Sequence, residues 1–263
     1  LSVLGRVGNQ SETLIAGVTV GGGDGPKAIL VRGVGPTLAA FGVVNALVDP
    51  ILTISRESTR ISVNDDWGNN STIVAAANSV GAFALPATSK DAAILGSGFS
   101  AGGYSVTLEG KNGATGTGLI EIYDADHMAV VTATSPRLTN IATRAFGGTG
   151  SDTLIAGFIV AGTGSIRVLV RASGPALIPF GLSGLMPDPK LEFFNGIGTK
   201  LVENDNWEAS TLAVQTAVGA FPFPANSKDA ALVATLSPGG YTVQVVPVGG
   251  SPGVALVEVY VLP

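Results

Sequence analysis

The chain is an internal duplication, and this feature limits its possible folds more than any other. Displacing the sequence by about 140 residues aligns it with itself from end to end. The segment Thr13–Gly17 recurs as Thr153–Gly157, and Ser89–Ala93 recurs as Ser227–Ala231. Insertions between the matched segments are no longer than loops. The chain therefore contains two copies of one domain.

The domain boundaries follow from where the matches begin and end. We place the first repeat at residues 1–124 and the second at residues 141–263. Residues 125–140 form an inter-repeat segment that supplies the lead-in strand of the second repeat. The chain begins at Leu1 and not at Met, which is typical of a processed or partial product.

Each copy has the pattern of a β-rich domain. Short runs of Val, Ile, Leu and Thr are bounded by Gly, Pro, Asn and Asp, which predicts strands. Helical spacing occurs once per copy, at residues 71–80 and 210–218, and Gly21–Gly25 is predicted as a hairpin turn. The sequence therefore predicts an all-β fold: two homologous antiparallel β-sandwich or jelly-roll-like domains in tandem, each with one short helix. The strands predicted in the second copy are 137–144, 153–160, 166–171, 190–194, 201–203, 230–236, 241–246 and 254–261.

The series of motifs resembles a known bacterial repeat. It consists of LIAG, LVRxxGP, NDDW, SKDAA, PGGYT and ALVEVY, and it covers nearly the whole chain, copy by copy. This series is similar to a repeat of large secreted or surface-attached bacterial proteins, and more loosely to pre-peptidase C-terminal-type sandwiches. The resemblance implies a secreted, non-catalytic module. The first copy departs from the pattern at Gly96–Ser100, which leaves the turn there open.

Composition excludes several classes of function. A net charge of −5 without a basic run argues against nucleic acid as a partner. The absence of cysteine excludes disulfides and thiolate metal sites. The single histidine, His127, is interpreted as a surface residue of the inter-repeat segment and leaves little for zinc or general-base chemistry. No apolar run reaches about 18 residues, so we expect no membrane-spanning helix. We expect no enzymatic activity and no cofactor.

The turn Asn64–Trp67 is the best candidate for a binding site. Its carboxylates, Asp65 and Asp66, are hard oxygen ligands of the kind that Ca²⁺ prefers. The second copy keeps Asp205 but has Asn at the next position, which lowers the charge available. The favoured alternative is that these side chains fix a turn and cap the following helix.

Trp67 and Trp207 are the only tryptophans, and each directly follows this turn. An exposed indole beside carboxylates suits stacking on a sugar, which would make the chain a carbohydrate-binding or adhesion module for surface glycans. An indole at the same place in both copies is more typical of a core residue that closes a sandwich. We favour the core position.

Charged residues embedded in apolar strands predict a repeated ion pair. Arg32 and Arg171 each end an apolar strand, and Glu121 and Glu258 lie inside another. A charge in such a strand either faces outward or needs a partner. We expect a structural arginine–carboxylate pair in each copy, with Glu121 or Asp49 as the partner of Arg32.

The two ends of the chain differ, and this suggests self-assembly. Each outer end lacks a segment that the junction between the copies supplies, and an unpaired sheet edge accepts an incoming strand. The sequence therefore predicts an extracellular or cell-surface structural protein, a subunit of a fibre, sheath or surface layer that forms head-to-tail homopolymers. The residues assigned to this contact are Leu1, Ser2, Val3, Leu4, Val261 and Leu262.

Overall fold

The computed structural model describes residues 1–9, 12–126 and 134–262. It is mostly antiparallel β-structure with a few short helices. The chain divides into two compact units, the first formed by Leu1–Asn9 and Thr13–Ile141, the second by Gln10–Glu12 and Ala142–Pro263. His127 lies outside the described residues.

Unit 1 contains eight strands and one α-helix of its own among the described residues. In chain order they are β1 (Ser2–Val7), β2 (Leu14–Gly21), β3 (Lys27–Val34), β4 (Pro50–Arg56), β5 (Thr59–Asn64), α1 (Ser71–Ser79), β6 (Ala92–Phe99), β7 (Gly102–Gly110) and β8 (Gly116–Asp124). Two antiparallel series form, β1-β8-β3-β6 and β2-β7-β4-β5. Strand β9 (Arg137–Gly147) begins in this unit and ends in unit 2.

Unit 2 repeats this arrangement. Its elements are β10 (Leu154–Val160), β11 (Ile166–Ser173), β12 (Pro189–Asn195), β13 (Lys200–Asn204), α2 (Leu212–Ala217), β14 (Ala230–Leu236), β15 (Gly239–Pro247) and β16 (Gly253–Val261). The antiparallel series are β9-β16-β11-β14 and β10-β15-β12-β13.

Strand burial explains the sequence pattern. Strand β2 alternates buried and half-buried residues, as expected when one face covers the core. Strand β3 is buried from Ile29 to Val34. One face of β3 packs against α1, which contacts Leu30. The other face is covered as well, because a Cβ atom at Gly33 would lie only 2.5 Å from the Leu108 side chain. Because both faces of the strand are covered, apolar residues are needed on both, and this explains the apolar run that includes LVR in each copy.

Three local predictions need correction. The segment Gly21–Gly25 is not a hairpin turn, because β2 and β3 pair with different strands and not with each other. The segment Gly96–Ser100 is not a turn, because β6 continues to Phe99. The second helix begins at Leu212 and not at Ser210, because the 3₁₀ turn Ala209–Thr211 precedes it.

None of the described helices is long and apolar enough to span a membrane.

Candidate functional site

The turn after β5 joins strands and does not cap the helix. The N-cap of α1 is Asn70, whose side chain accepts the N–H groups of Thr72 and Ile73. The predicted capping role of the Asn64–Trp67 residues is therefore wrong. Asn64 instead accepts the N–H of Ala93 at 2.9 Å and donates to the Asp66 carbonyl at 2.9 Å. In unit 2, α2 has no side-chain cap at its N-terminus.

The carboxylates of this turn are paired with lysines. Asp65 lies 2.7 Å from the Lys111 ammonium, and Asp66 lies 3.1 Å from that of Lys90. The hydrogen bond and charge of Lys111 lower the pKa of Asp65 below its usual value. In unit 2, Lys228 lies 3.7 Å from Asp188. Within the described ranges, no group of three or more His, Cys, Asp or Glu side chains could hold a metal ion.

The two tryptophans differ in burial. Trp67 is 5% exposed and packs in the cluster that joins α1 to β3 and β6. Its indole N–H lies 3.2 Å from both the Pro86 carbonyl and the Ser89 hydroxyl. Trp207 is half-buried and edge-on to Phe223, with ring centres 6.0 Å apart. The structure thus places Trp67 in the core, where its faces are not available to a sugar.

A buried arginine cluster occurs in both units. In unit 1, Arg32 Nε lies 3.0 Å from Glu121 Oε2, and the Tyr123 hydroxyl donates to Glu121 Oε1 at 2.6 Å. The guanidinium also donates to the Phe83 carbonyl and lies over the Phe83 ring, 4.3 Å from its centre. Of the two carboxylates considered from the sequence, Glu121 is the one that contacts Arg32, because β3 and β8 pair these residues directly.

Unit 2 reproduces the cluster closely. Arg171 Nη1 lies 3.1 Å from Glu258 Oε2, and Tyr260 donates to Glu258 Oε1 at 2.6 Å. The guanidinium lies over the rings of both Phe221 and Phe223, 4.4 Å and 3.9 Å from their centres. Burial raises the pKa of Glu258 and lowers that of Arg171. The Arg171 side chain is fully buried and that of Glu258 is 7% exposed, so the ion pair joins β11 and β16 inside unit 2.

Two buried aspartates have a role that the sequence does not predict. Asp91 is fully buried, and its Oδ1 accepts the N–H of Gly35 at 2.7 Å, at the start of the 3₁₀ helix Pro36–Phe41. Its other oxygen accepts the Thr37 hydroxyl. Asp229 accepts the N–H groups of Gly174 and Ala176 in the same way. The repeated SKDAA motif is the only signal in the sequence, since most of the partners are backbone groups of a distant segment.

The residues predicted for assembly lie at the ends of paired strands. β1 pairs with β8 in the register Ser2↔Glu121 to Val7↔Gly116, so one edge of Ser2–Leu4 is already hydrogen-bonded within unit 1. Leu262 is buried and donates its N–H to the Arg167 carbonyl at 2.9 Å. Val261 is 42% exposed. The structure contains one chain, and the contact with a neighbouring molecule stays a prediction.

Exposed apolar side chains concentrate on equivalent loops and edge strands of the two units. Phe41 is 62% exposed and Phe180 is 60% exposed, each edge-on to the phenyl ring that covers the buried arginine. The edge strands carry a second set, Ile61, Val63 and Leu95 in unit 1 and Leu201, Val202 and Val233 in unit 2.

Comparison with known proteins gives little further information. No family model and no curated protein matches the chain. Three of the solved structures that align with nearly the whole chain do so at low similarity. "Crystal Structure of the STIV MCP" has 13% identity and a TM-score of 0.24, with coverage of 98% of this chain and 95% of that chain. The human "CUB1-EGF-CUB2 domain" of MASP-1/3 has 8% identity and a TM-score of 0.21, with coverage of 98% and 99%. "Structure of PNGF-II in P21 space group" has 10% identity and a TM-score of 0.22, with coverage of 99% and 60%. TM-scores this low carry no argument about fold or function.

Proposed function

We propose that the chain is a non-catalytic structural protein of the cell exterior, built from two tandem β-sandwich repeats, that self-associates through exposed strand edges into a fibre, sheath or surface layer. The observation that carries this proposal is the state of four edge strands. Among the described residues, β5, β6, β13 and β14 each pair with one strand only. An open edge presents unpaired N–H and C=O groups that a strand of another molecule can satisfy.

The side chains on these edges favour such contacts. Ile61 and Val63 on β5 are 49% and 45% exposed, and Leu201 and Val202 on β13 are 49% and 41% exposed. Proteins that stay monomeric usually protect their edges with lysine, proline or a bulge. Strand β5 has Arg60 as its only charged residue, whereas β13 carries Lys200 and Glu203. A contact between unlike edges of two copies is head-to-tail and can propagate without closing.

This proposal moves the predicted contact away from the chain ends. Leu1–Leu4 is hydrogen-bonded to β8, and Leu262 is buried against β11. These residues are therefore less available to a neighbour than the four edge strands are. The proposal keeps homopolymer assembly and assigns it to the edges.

The buried charged side chains are paired within the fold, and this supports a structural role. The buried ionisable side chains of the described residues, namely Lys27, Arg32, Asp91, Glu121, Arg171, Asp229 and Glu258, all have partners within the fold. Catalytic groups instead need access to a substrate. The enclosed Trp67 likewise favours the structural role over the sugar-binding alternative.

The test measures assembly directly. Light scattering coupled to a sizing column, with negative-stain microscopy of the same samples, should show large assemblies that grow with concentration. Ile61→Lys and Leu201→Lys each place a charge on an open edge and should shift the population toward monomer. Val74→Lys is the control, since Val74 is 37% exposed on α1 and lies on no edge. A monomer at every concentration would overturn the proposal.

A further inference from the structure

A buried amine in unit 1 lies against two carboxylates. The Lys27 side chain, at the first residue of β3, is 3% exposed. Its Nζ lies 2.7 Å from Asp124 Oδ2 and 2.7 Å from Asp126 Oδ2. A third acceptor, the Pro136 carbonyl, lies at 3.0 Å. The corresponding residue of β11 is Ile166, so this arrangement belongs to unit 1 alone.

The two carboxylates are held differently. Asp126 Oδ1 accepts the N–H of Ala28 at 2.7 Å, while its Oδ2 faces the amine. Asp124 Oδ1 accepts the N–H of Asp126 at 3.2 Å, which fixes the second carboxylate beside the first. The side chain of Asp126 is 29% exposed and that of Asp124 is 52% exposed. Asp126 therefore has one oxygen on a backbone donor and the other against the Lys27 amine, and Asp124 Oδ2 contacts the same amine.

We propose that Lys27 and Asp126 condense to an intramolecular isopeptide bond, with Asp124 as the proton relay. The ammonium of Lys27 first passes a proton to Asp124, which transfers it to Asp126 Oδ2. The neutral amine then attacks Cγ of Asp126 and forms the N–C bond. The negative charge that develops on Oδ1 is stabilised by the Ala28 N–H.

The second half of the reaction releases water. Asp124 takes a further proton from the nitrogen and delivers it to Oδ2, the Cγ–Oδ2 bond breaks, and Oδ2 leaves as water. The three protons of the ammonium end on the amide nitrogen, which keeps one, and on the water, which takes two. Asp124 returns to its starting state, so no oxidant or other reactant is required. The amide N–H that remains has the Pro136 carbonyl within reach as its acceptor.

Proximity lowers the barrier that keeps free amines and carboxylates from condensing in water. Reacting groups held in contact have effective molarities of about 10⁵–10⁸ M. Burial alone would lower the pKa of Lys27, but the hydrogen bonds to Asp124 and Asp126 outweigh burial and raise it. The resting state is thus an ion pair, and proton transfer to Asp124 is the step that makes the amine reactive.

The bond would have a clear structural role. It would tie the start of β3 to the segment that follows β8, both in unit 1, and it does not depend on self-association. The chain has no cysteine, so a disulfide cannot supply a covalent link. A structural protein outside the cell would gain a cross-link that reducing agents do not cleave.

Intact mass spectrometry of the full chain tests the proposal. The folded and aged protein, denatured before analysis, should weigh one water less than its sequence, and proteolysis should release a branched peptide joining Lys27 to Asp126. Asp126→Asn should lose ammonia instead of water, because the leaving group becomes the amide nitrogen. Asp124→Ala should retain the unreacted mass although both reacting groups are present.

Two lysine variants test whether the loss of water depends on Lys27. Lys27→Met should keep its full sequence mass. Lys111→Met is the matched control, because Lys111 pairs with Asp65 at the same 2.7 Å but 36% of its side chain is exposed; this variant should still lose one water. A folded wild-type chain that keeps its full sequence mass after prolonged incubation, with no branched peptide, would overturn the proposal. That result would leave the self-association proposal untouched, since sizing measures it separately.

Discussion

Asn64 Oδ1 accepts the backbone N–H of Ala93 at 2.9 Å, and this one side chain connects the last residue of β5 to the edge of β6. The two strands end different antiparallel series of unit 1, so the bond links edges that no backbone ladder joins. Asn204 makes the same bond to Ala231 at 2.9 Å in unit 2. The asparagine thus satisfies an edge amide and fixes the start of the following turn.

Removing this asparagine should destabilise unit 1. In Asn64→Ala, the half-enclosed N–H of Ala93 loses its acceptor, and we expect a loss of roughly 1–3 kcal/mol in the free energy of unfolding. Asn64→Asp keeps the acceptor oxygen and should lose less of the free energy of unfolding. Urea denaturation followed by tryptophan fluorescence measures both, and Asn78→Ala, an exposed position on α1, is the control. Equal stability of the alanine variant and the wild type would contradict this role.

Strand positions could be predicted because their signals are local. Strand β14 has the same bounds in the structure as in the prediction, since a short, mostly apolar run with flanking Asp, Pro and Gly defines both ends. The sequence limits the partner of Arg32 to two carboxylates, because a charge in an apolar strand needs a counter-charge. The choice of Glu121 over Asp49 depends on the β3–β8 register, which the sequence of a single strand does not encode.

The roles of Asn64 and Asp91 could not be read in the same way. Both side chains accept backbone N–H groups of residues far away in the sequence, and backbone donors leave no trace in residue type. The sequence therefore suggests a capping role for Asn64 at the nearest helix, although Asn70 occupies that cap. The contacts of Lys27 likewise come from segments distant in sequence, the end of β8 and Pro136.

The buried Glu258 should make stability depend on pH in a specific direction. Burial raises its pKa above the usual 4.5, so the folded state favours the protonated carboxyl. This contribution is complete below pH 4.5 and is lost as the pH rises through the folded-state pKa. Glu258→Gln removes the titrating group, so the stability difference between wild type and variant should shift against the wild type as the pH rises. Denaturation at a series of pH values measures it, and a shift in the opposite direction would refute the role of burial.

Truncation of the two tryptophans should have unequal effects. Trp67→Ala removes a side chain that is 5% exposed and should cost about 3–5 kcal/mol of unfolding free energy. Trp207→Ala should cost less, because Trp207 is half-buried. Denaturant titration of each variant gives the comparison, with far-UV circular dichroism to check the fold. Retained stability of Trp67→Ala together with lost binding to polysaccharides would instead support the sugar-binding alternative.

Calcium should leave the melting temperature unchanged. The carboxylates of Asp65 and Asp66 are occupied by the ammonium groups of Lys111 and Lys90, so a cation at this turn would have to displace both lysines. A ligand that binds only the native state must raise its stability, and millimolar calcium and excess EDTA should therefore give the same melting curve. Lys111→Met frees Asp65 and removes the competing charge, which makes it the variant most sensitive to added calcium. A calcium-dependent rise in the melting temperature of the wild type would show that calcium displaces the lysines. The turn would then be a metal site, as its sequence suggests.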